Sequence, residues 1–236
     1  MNFESPLLPG TLIKRYKRFL ADIRLADGQL ITAHSPNTGA MTGCAEPGSP
    51  VWVRDTQNPK RKYPYAWEVT TSTEGSLVGI NTGLVNRLVS EAIESGLVGE
   101  LQGYQQLRSE VKYGQENSRI DLLLQDGQQA DCYVEIKNVT AIDEAGVAIF
   151  PDAVSQRATR HLRELMHVVA QGQRGVIFFC IQRDDIEQFS PADNIDPEYG
   201  QMLRKAMNCG VEVLAYKASV NPEQIRLYEA VTVSCA

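Results

Sequence analysis

Asp121, Glu135 and Lys137 are the residues of this 236-residue chain whose types and spacing could do chemistry. Mg²⁺ binds to one or two carboxylates, completing its shell with waters and substrate phosphate oxygens. Such an ion lowers the pKa of a bound water and steadies the charge that develops on phosphorus. A neighbouring lysine would orient or deprotonate that water, or neutralise the charge. In Ser118 to Leu124, Ile120, Leu122 and Leu124 share a face under period-two alternation, which puts Asp121 on the other. In Cys132 to Val139, Val134 and Ile136 share a face, which puts Glu135 and Lys137 together opposite them. The plain alternative is an exposed sheet face with a Glu–Lys pair, which contributes little stability. Spacing alone leaves both open.

A shared ion also constrains the connection between the two strands. Facing residues in an antiparallel hairpin have a constant sum of sequence numbers, so a bulge-free loop must contain an odd number of residues. A two-residue Asp126-Gly127 turn would send the carboxylates to opposite faces. A five-residue loop over Asp126 to Ala130 sets Asp121 directly opposite Glu135, a three-residue loop sets them diagonally, and a bulge could restore the parity.

The elements that must position these residues fall into two kinds. Up to about residue 80, short apolar runs (Phe19 to Leu25, Leu30 to Ala33, Val51 to Val53, Tyr65 to Val69, Leu77 to Ile80) alternate with Gly/Pro/Asn turns, as in a small barrel or sandwich. From Leu84 the period becomes helical: Leu84, Val85, Leu88, Val89, Ala92 and Ile93 line one side, ending near Gly96. The boundary is expected around residues 81–86, giving parts 1–83 and 84–236. Strands are expected at Leu107 to Tyr113, Ser118 to Leu124, Cys132 to Val139, Val176 to Ile181 and Val211 to Tyr216. Asp152 is expected to N-cap a helix with Val154, Ala158, Leu162, Leu165 and Val169 as its stripe, and a last helix runs from about Pro197 to Asn208. An all-β part followed by an α/β mixed-sheet part results.

The net charge is -6, which excludes a chain that is basic all over. Residues 1–85 nevertheless carry nine Lys/Arg against seven Asp/Glu, concentrated in Arg15, Lys17, Arg18 and in Lys60, Arg61, Lys62. Local patches decide phosphate contact, because salt screens charges beyond about 10 Å. These six could neutralise phosphates while Tyr16, Tyr63, Tyr65 or Trp67 stack on bases; Trp52 and Trp67, inside apolar strands, fit a barrel core better. Five scattered cysteines without a Cys-x-x-Cys pair fit neither a disulfide framework nor a zinc site. There is no apolar run near the ~18 residues of a membrane span, and the N-terminus lacks a basic segment followed by an apolar block, so a cytoplasmic protein is expected. Glu91 and Glu110 are candidate third carboxylates. His34 with Cys44, and His161 with His167, are weaker pairs; the last two lie six apart on one helix, which suits packing better than a metal.

Asp121, then Glu135-x-Lys137, then a helix with Gln156 and Arg160 one turn apart, resembles the PD-(D/E)XK nuclease core. More of the chain is similar to the sugar fermentation stimulation protein A (SfsA) family. Lys17-Arg18-Phe19, Ala33 to Met41, Lys60-Arg61-Lys62, Ser118 to Asp121, Val134 to Thr140 and Phe150 to Ala153 carry that likeness. The resemblance implies an OB-like barrel, a PD-(D/E)XK nuclease-like domain and DNA binding, with Gln156 and Arg160 joining the basic clusters on DNA. It further implies a Mg²⁺-dependent phosphodiesterase centre at Asp121, Glu135 and Lys137, or instead a non-catalytic DNA-binding regulator of sugar-metabolism genes. Pro151-Asp152 is no part of the nuclease motif, whose acidic position is Asp121.

Overall fold

The computed structural model describes residues 1–116 and 118–235. Six strands form the first sheet: β1 (Leu8–Tyr16), β2 (Leu20–Leu25), β3 (Leu30–His34), β4 (Pro50–Asp55), β5 (Tyr65–Thr71) and β6 (Leu77–Gly79). Their order is β3-β2-β1-β4-β5-β6, and a parallel β3–β5 pairing closes the first five strands into a barrel. Leu12, Ile23, Ile31, Val51, Val53 and Trp67 fill it, and the Trp67 indole donates to the Val69 carbonyl at 3.0 Å. Trp67 is therefore core, not a base-stacking residue.

Strand β1 has no counterpart among the expected strands. Only Leu12 of its nine residues is buried, so alternation gives no signal. Its Gly10 is required by proximity: a Cβ there would lie 2.7 Å from Ile23 Cγ2 and 2.8 Å from the Arg24 carbonyl oxygen.

The second part begins with α1 (Val85–Glu94), followed by β7 (Gln106–Tyr113), β8 (Ser118–Gln125), β9 (Cys132–Val139), β10 (Ala148–Phe150) and α2 (Gln156–Ala170). Then come β11 (Arg174–Ile181), β12 (Gln188–Pro191), α3 (Pro197–Asn208), β13 (Glu212–Val220), β14 (Ile225–Ala230) and β15 (Thr232–Val233). A mixed sheet runs β14-β13-β11-β9-β8-β7, with β9, β11 and β13 parallel. Helix α1 packs on one face against Leu122, Leu124, Val134, Ile136 and Phe178. Helices α2 and α3 cover the other against Ile177, Phe179 and Ile181. A run such as Val176 to Ile181, apolar throughout, suits a strand covered on both sides. The small sheet β10-β12-β15 was not expected, since strands of two to four residues show no period.

Two expectations about α2 are corrected. Its N-cap is Ser155, whose side chain accepts from the Ala158 N–H at 3.2 Å; Asp152 lies three residues earlier and takes the Met41 N–H at 3.4 Å. Val154, before the helix, is 72% exposed rather than part of the stripe.

Between β8 and β9 the pairs are Leu122 with Val134, Leu123 with Tyr133 and Leu124 with Cys132. Continuing this register places Gln125 beside Asp131, whose side chains bond at 2.7 Å, and leaves five residues, Asp126 to Ala130, in the turn. It also sets position 121 against position 135. The backbone ladder stops one step short of them, and the alternation expected for β8 breaks there. Ile120 joins Leu123 in the core under α2, while Leu122 and Leu124 face α1.

Candidate metal centre and nucleic-acid interface

Glu135 and Lys137 are not on an open sheet face. Helix α2 covers them, and both are buried. Lys137 Nζ donates to Glu135 Oε1 at 2.6 Å and lies 3.2 Å from His161 Nδ1; the same imidazole nitrogen makes a short contact with Glu135 Oε1. The Glu135 carboxylate can only accept and the Lys137 ammonium can only donate, so Nδ1 of His161 meets one of each, while its Nε2 lies 3.4 Å from Arg157 Nε. Burial pushes the Glu135 carboxyl up, but Lys137 and His161 outweigh it and hold it below the usual value. Sequence spacing missed His161 because its partners lie on a strand, not on its own helix. His167 is elsewhere, with Gln115 and Gln171 at the surface.

Asp121 occupies the gap where β8 leaves β9. Its Oδ2 takes the Ile136 N–H at 2.7 Å in place of a ladder carbonyl, and its Oδ1 faces Asn86 Nδ2 of α1 at 3.3 Å. Burial, then the charge of Glu135, raises its pKa to about 6. Asn86 Nδ2 also reaches Glu110 Oε1 at 3.3 Å, so Glu110, whose backbone is left-handed at φ 56°, borders the centre. Glu91 does not: it pairs with the N-terminal ammonium and Arg87, both at 2.9 Å.

These residues suit a hard divalent cation. Glu135 Oε2 is buried with no hydrogen-bond partner, a costly state for a carboxylate oxygen unless a cation meets it. The two carboxylates repel, as the raised Asp121 pKa reports. Among the described residues no cluster of three His, Cys, Asp or Glu is arranged for a metal. Two carboxylates with waters is a Mg²⁺-type donor set rather than a closed protein cage. Tyr113 and Tyr199 add buried phenol oxygens without partners, held protonated first by burial and then by the Glu135 charge.

The basic residues divide. Lys17 and Arg18 form the exposed tip of the β1–β2 hairpin, and Lys60, Arg61 and Lys62 lie exposed between β4 and β5. Arg15 is different: its guanidinium donates to the carbonyls of Arg18, Asn37, Gly39 and Ala40 at 2.7 to 3.2 Å. Its two terminal nitrogens are bonded to the fold and its Nε is buried without a partner, so it is held more tightly than its basic neighbours. Arg15→Met is expected to cost roughly 2–3 kcal/mol in a urea titration, from lost charged hydrogen bonds and unsatisfied carbonyls. Lys17→Ala or Arg18→Ala should stay within about 0.5 kcal/mol. Gln156 is exposed at the first turn of α2, and Arg160, one turn on, has a buried Nε without a partner. Cys44 is buried, its thiol pushed up to about 11 chiefly by desolvation, and its sulfur faces the Thr140 carbonyl rather than His34. Among the described residues no helix is long and apolar enough to cross a membrane.

Residues 13–80 match the domain family described as SfsA N-terminal OB domain, and residues 83–224 the one described as sugar fermentation stimulation protein RE domain. The chain belongs to the SfsA family. Sugar fermentation stimulation protein homologs from Geobacter metallireducens and Thioalkalivibrio sulfidiphilus are 58% and 56% identical to it over 233 residues. The alignments cover 99% of this chain and 99% and 98% of those relatives. The solved structure of Pyrococcus furiosus SfsA in complex with Ca²⁺ superposes with a TM-score of 0.87 at 27% identity, covering 99% of this chain and 98% of that one. The SfsA-family chain thus has an OB barrel followed by a mixed-sheet α/β domain.

Proposed function

We propose that this protein binds DNA and that Asp121, Glu135 and Lys137 form a Mg²⁺-dependent phosphodiesterase centre. The observation that carries this reading is the buried carboxylate pair with one unclaimed oxygen, Glu135 Oε2, beside a lysine ammonium. The Ca²⁺ in the Pyrococcus furiosus relative is a cation of the same hard, oxygen-seeking kind. A divalent cation held between the two carboxylates would supply Lewis acidity and a bound water of lowered pKa. Asp121 is fixed by the Ile136 N–H and by Asn86, and Glu135 Oε1 by Lys137 and His161, so neither carboxylate needs to reorganise. Lys137 is held where its ammonium would orient the attacking water and offset charge gathering on phosphorus.

Phosphates would be held by Lys17, Arg18, Lys60, Arg61 and Lys62 on the barrel and by Gln156 and Arg160 on α2. One connection supports treating these as a single surface. Arg15 ties the hairpin tip to the Asn37–Ala40 loop, and Asp152, just before α2, meets the same loop at Met41. Binding through phosphates is sequence-tolerant and falls steeply with salt. Changing Lys17, Arg18, Lys60, Arg61 and Lys62 to Ala together is expected to weaken binding at least about 30-fold for unrelated sequences, and to flatten the salt dependence. Unchanged affinity would remove the barrel from the interface.

Labelled DNA incubated with the protein, with EDTA, Mg²⁺ or Mn²⁺, separates the alternatives. Metal-dependent products support the phosphodiesterase. A gel shift without products under any metal supports the second reading, a non-catalytic DNA-binding regulator, which the relatives' name associates with sugar fermentation. Absence of binding rejects both.

A further inference from the structure

We infer that Phe19 is a stacking platform for an unpaired base, so that the DNA this barrel engages carries a single-stranded stretch; this rests on the DNA-binding reading above. A lone exposed apolar side chain is ordinary on a protein surface. Phe19, which is 42% exposed, differs in three respects.

Its position is fixed. Phe19 ends the three-residue connection between Tyr16 and Leu20, which pair with each other across the hairpin. Arg15 donates to the Arg18 carbonyl at 2.7 Å, and the Ser35 N–H donates to the Phe19 carbonyl at 2.8 Å. Lys17 and Arg18 are held left-handed, at φ 51° and 64°, a conformation that non-glycine residues rarely adopt. A backbone pinned in this way loses little further freedom when the ring stacks on a ligand.

Cations precede it. Lys17 and Arg18 precede it directly and form no ion pair among the described residues. On the other side, Leu20 pairs with His34, and His34 pairs with Ala66. Ala33 pairs with Tyr65, three residues after Lys62, so the Lys60–Lys62 loop enters β5 at this strand end, and burial, then the charge of Arg61, holds the His34 imidazole below its usual range. The two basic clusters, far apart in sequence, therefore enter the barrel at neighbouring strand ends, with Phe19 on the hairpin of the first. That combination tracks a phosphate backbone while a base meets an aromatic face.

Three of the other four aromatic candidates are committed, and the fourth, half-buried Tyr63, has the Lys62 ammonium 5.6 Å from its ring centroid. Trp67 is in the core, Tyr65 packs against it, and the Tyr16 hydroxyl donates to Asp22 at 3.0 Å. Bases in a duplex are already stacked on each other, so a fixed exposed ring gains only where a base is free. Phe19 thus discriminates by strandedness, whereas its lysine and arginine neighbours respond to any phosphate backbone.

Fluorescence anisotropy in EDTA, with oligothymidine of about 15 nucleotides and a blunt duplex of similar length, tests this. Phe19→Ala is expected to weaken single-strand binding about ten-fold and to leave the duplex within two-fold; Phe19→Tyr should retain wild-type behaviour. The double substitution Lys17→Ala with Arg18→Ala should weaken both. If Phe19→Ala changes neither affinity, or lowers both equally, the stacking role is wrong while DNA binding stands. Wild-type protein that binds neither DNA would reject the DNA-binding reading, and this inference with it.

Discussion

Glu135→Gln is expected to lower metal-dependent DNA cleavage at least about 1,000-fold, some 4 kcal/mol on the barrier, while DNA affinity in EDTA stays within two-fold. The amide keeps the shape of the side chain and removes the charge that an ion at Oε2 needs. Calorimetric titration with Mg²⁺ or Mn²⁺ should lose its signal in the same variant. There is a stability consequence as well, because the Lys137 ammonium, 2.6 Å from Glu135 Oε1, is left buried without its carboxylate. Breaking a buried pair from one side costs about 3–5 kcal/mol, whereas removing both charges costs far less. Glu135→Gln combined with Lys137→Met should therefore regain most of the lost stability and none of the activity. Cleavage that survives Glu135→Gln would place the active site elsewhere.

The second large effect is on stability, and its sign follows from the two carboxylates. Asp121 has its pKa raised to about 6, chiefly by burial and next by Glu135. The folded state then holds a proton that the unfolded state releases near pH 4, so this group favours folding at low pH and loses that contribution as pH rises toward 6. The loss amounts to about 3 kcal/mol. Glu135 acts oppositely: its carboxyl is held low, so its contribution is present above the ordinary carboxylate value and fades only in acid. Between pH 5 and 7 Asp121 thus pulls stability down as pH rises, against the opposite contribution of His34, whose imidazole is held below its usual range. A divalent cation relieves the repulsion between the two carboxylates, so Mg²⁺ should raise Tm by roughly 5–10 °C at pH 7.5 and by under about 2 °C at pH 5. Differential scanning fluorimetry at the two pH values reads this directly. Equal metal shifts at both, or a fall with rising pH that persists in Asp121→Asn, would contradict it.

Much of this arrangement is legible along the chain. The change of period at Leu84 marks the start of α1, and β8, β9, β11 and α3 lie close to where alternation, apolar runs and Pro/Gly punctuation put them. Asp121, Glu135 and Lys137 stand out because charged residues interrupt strands that are otherwise apolar. The parity of 121 and 135 even restricts the turn, and the register found is one that parity allows. Other features leave no such mark. Strand β1 buries a single side chain, and the strands of the small sheet are too short for a period.

By itself, then, the sequence determined the two kinds of architecture and singled out the three charged residues of the proposed centre and the basic clusters of the barrel, because period and local composition are properties of neighbouring residues. Only the tertiary structure decided that Glu135 and Lys137 lie beneath α2 with His161, and that Asp121 fills a gap in the ladder beside Asn86 and Glu110. Only there does Arg15 turn inward to four carbonyls while Phe19 stays exposed on the same hairpin. Helix–sheet packing and strand closure join residues 15 to 35 positions apart, and no local pattern records which of two charged side chains those long-range contacts will cover.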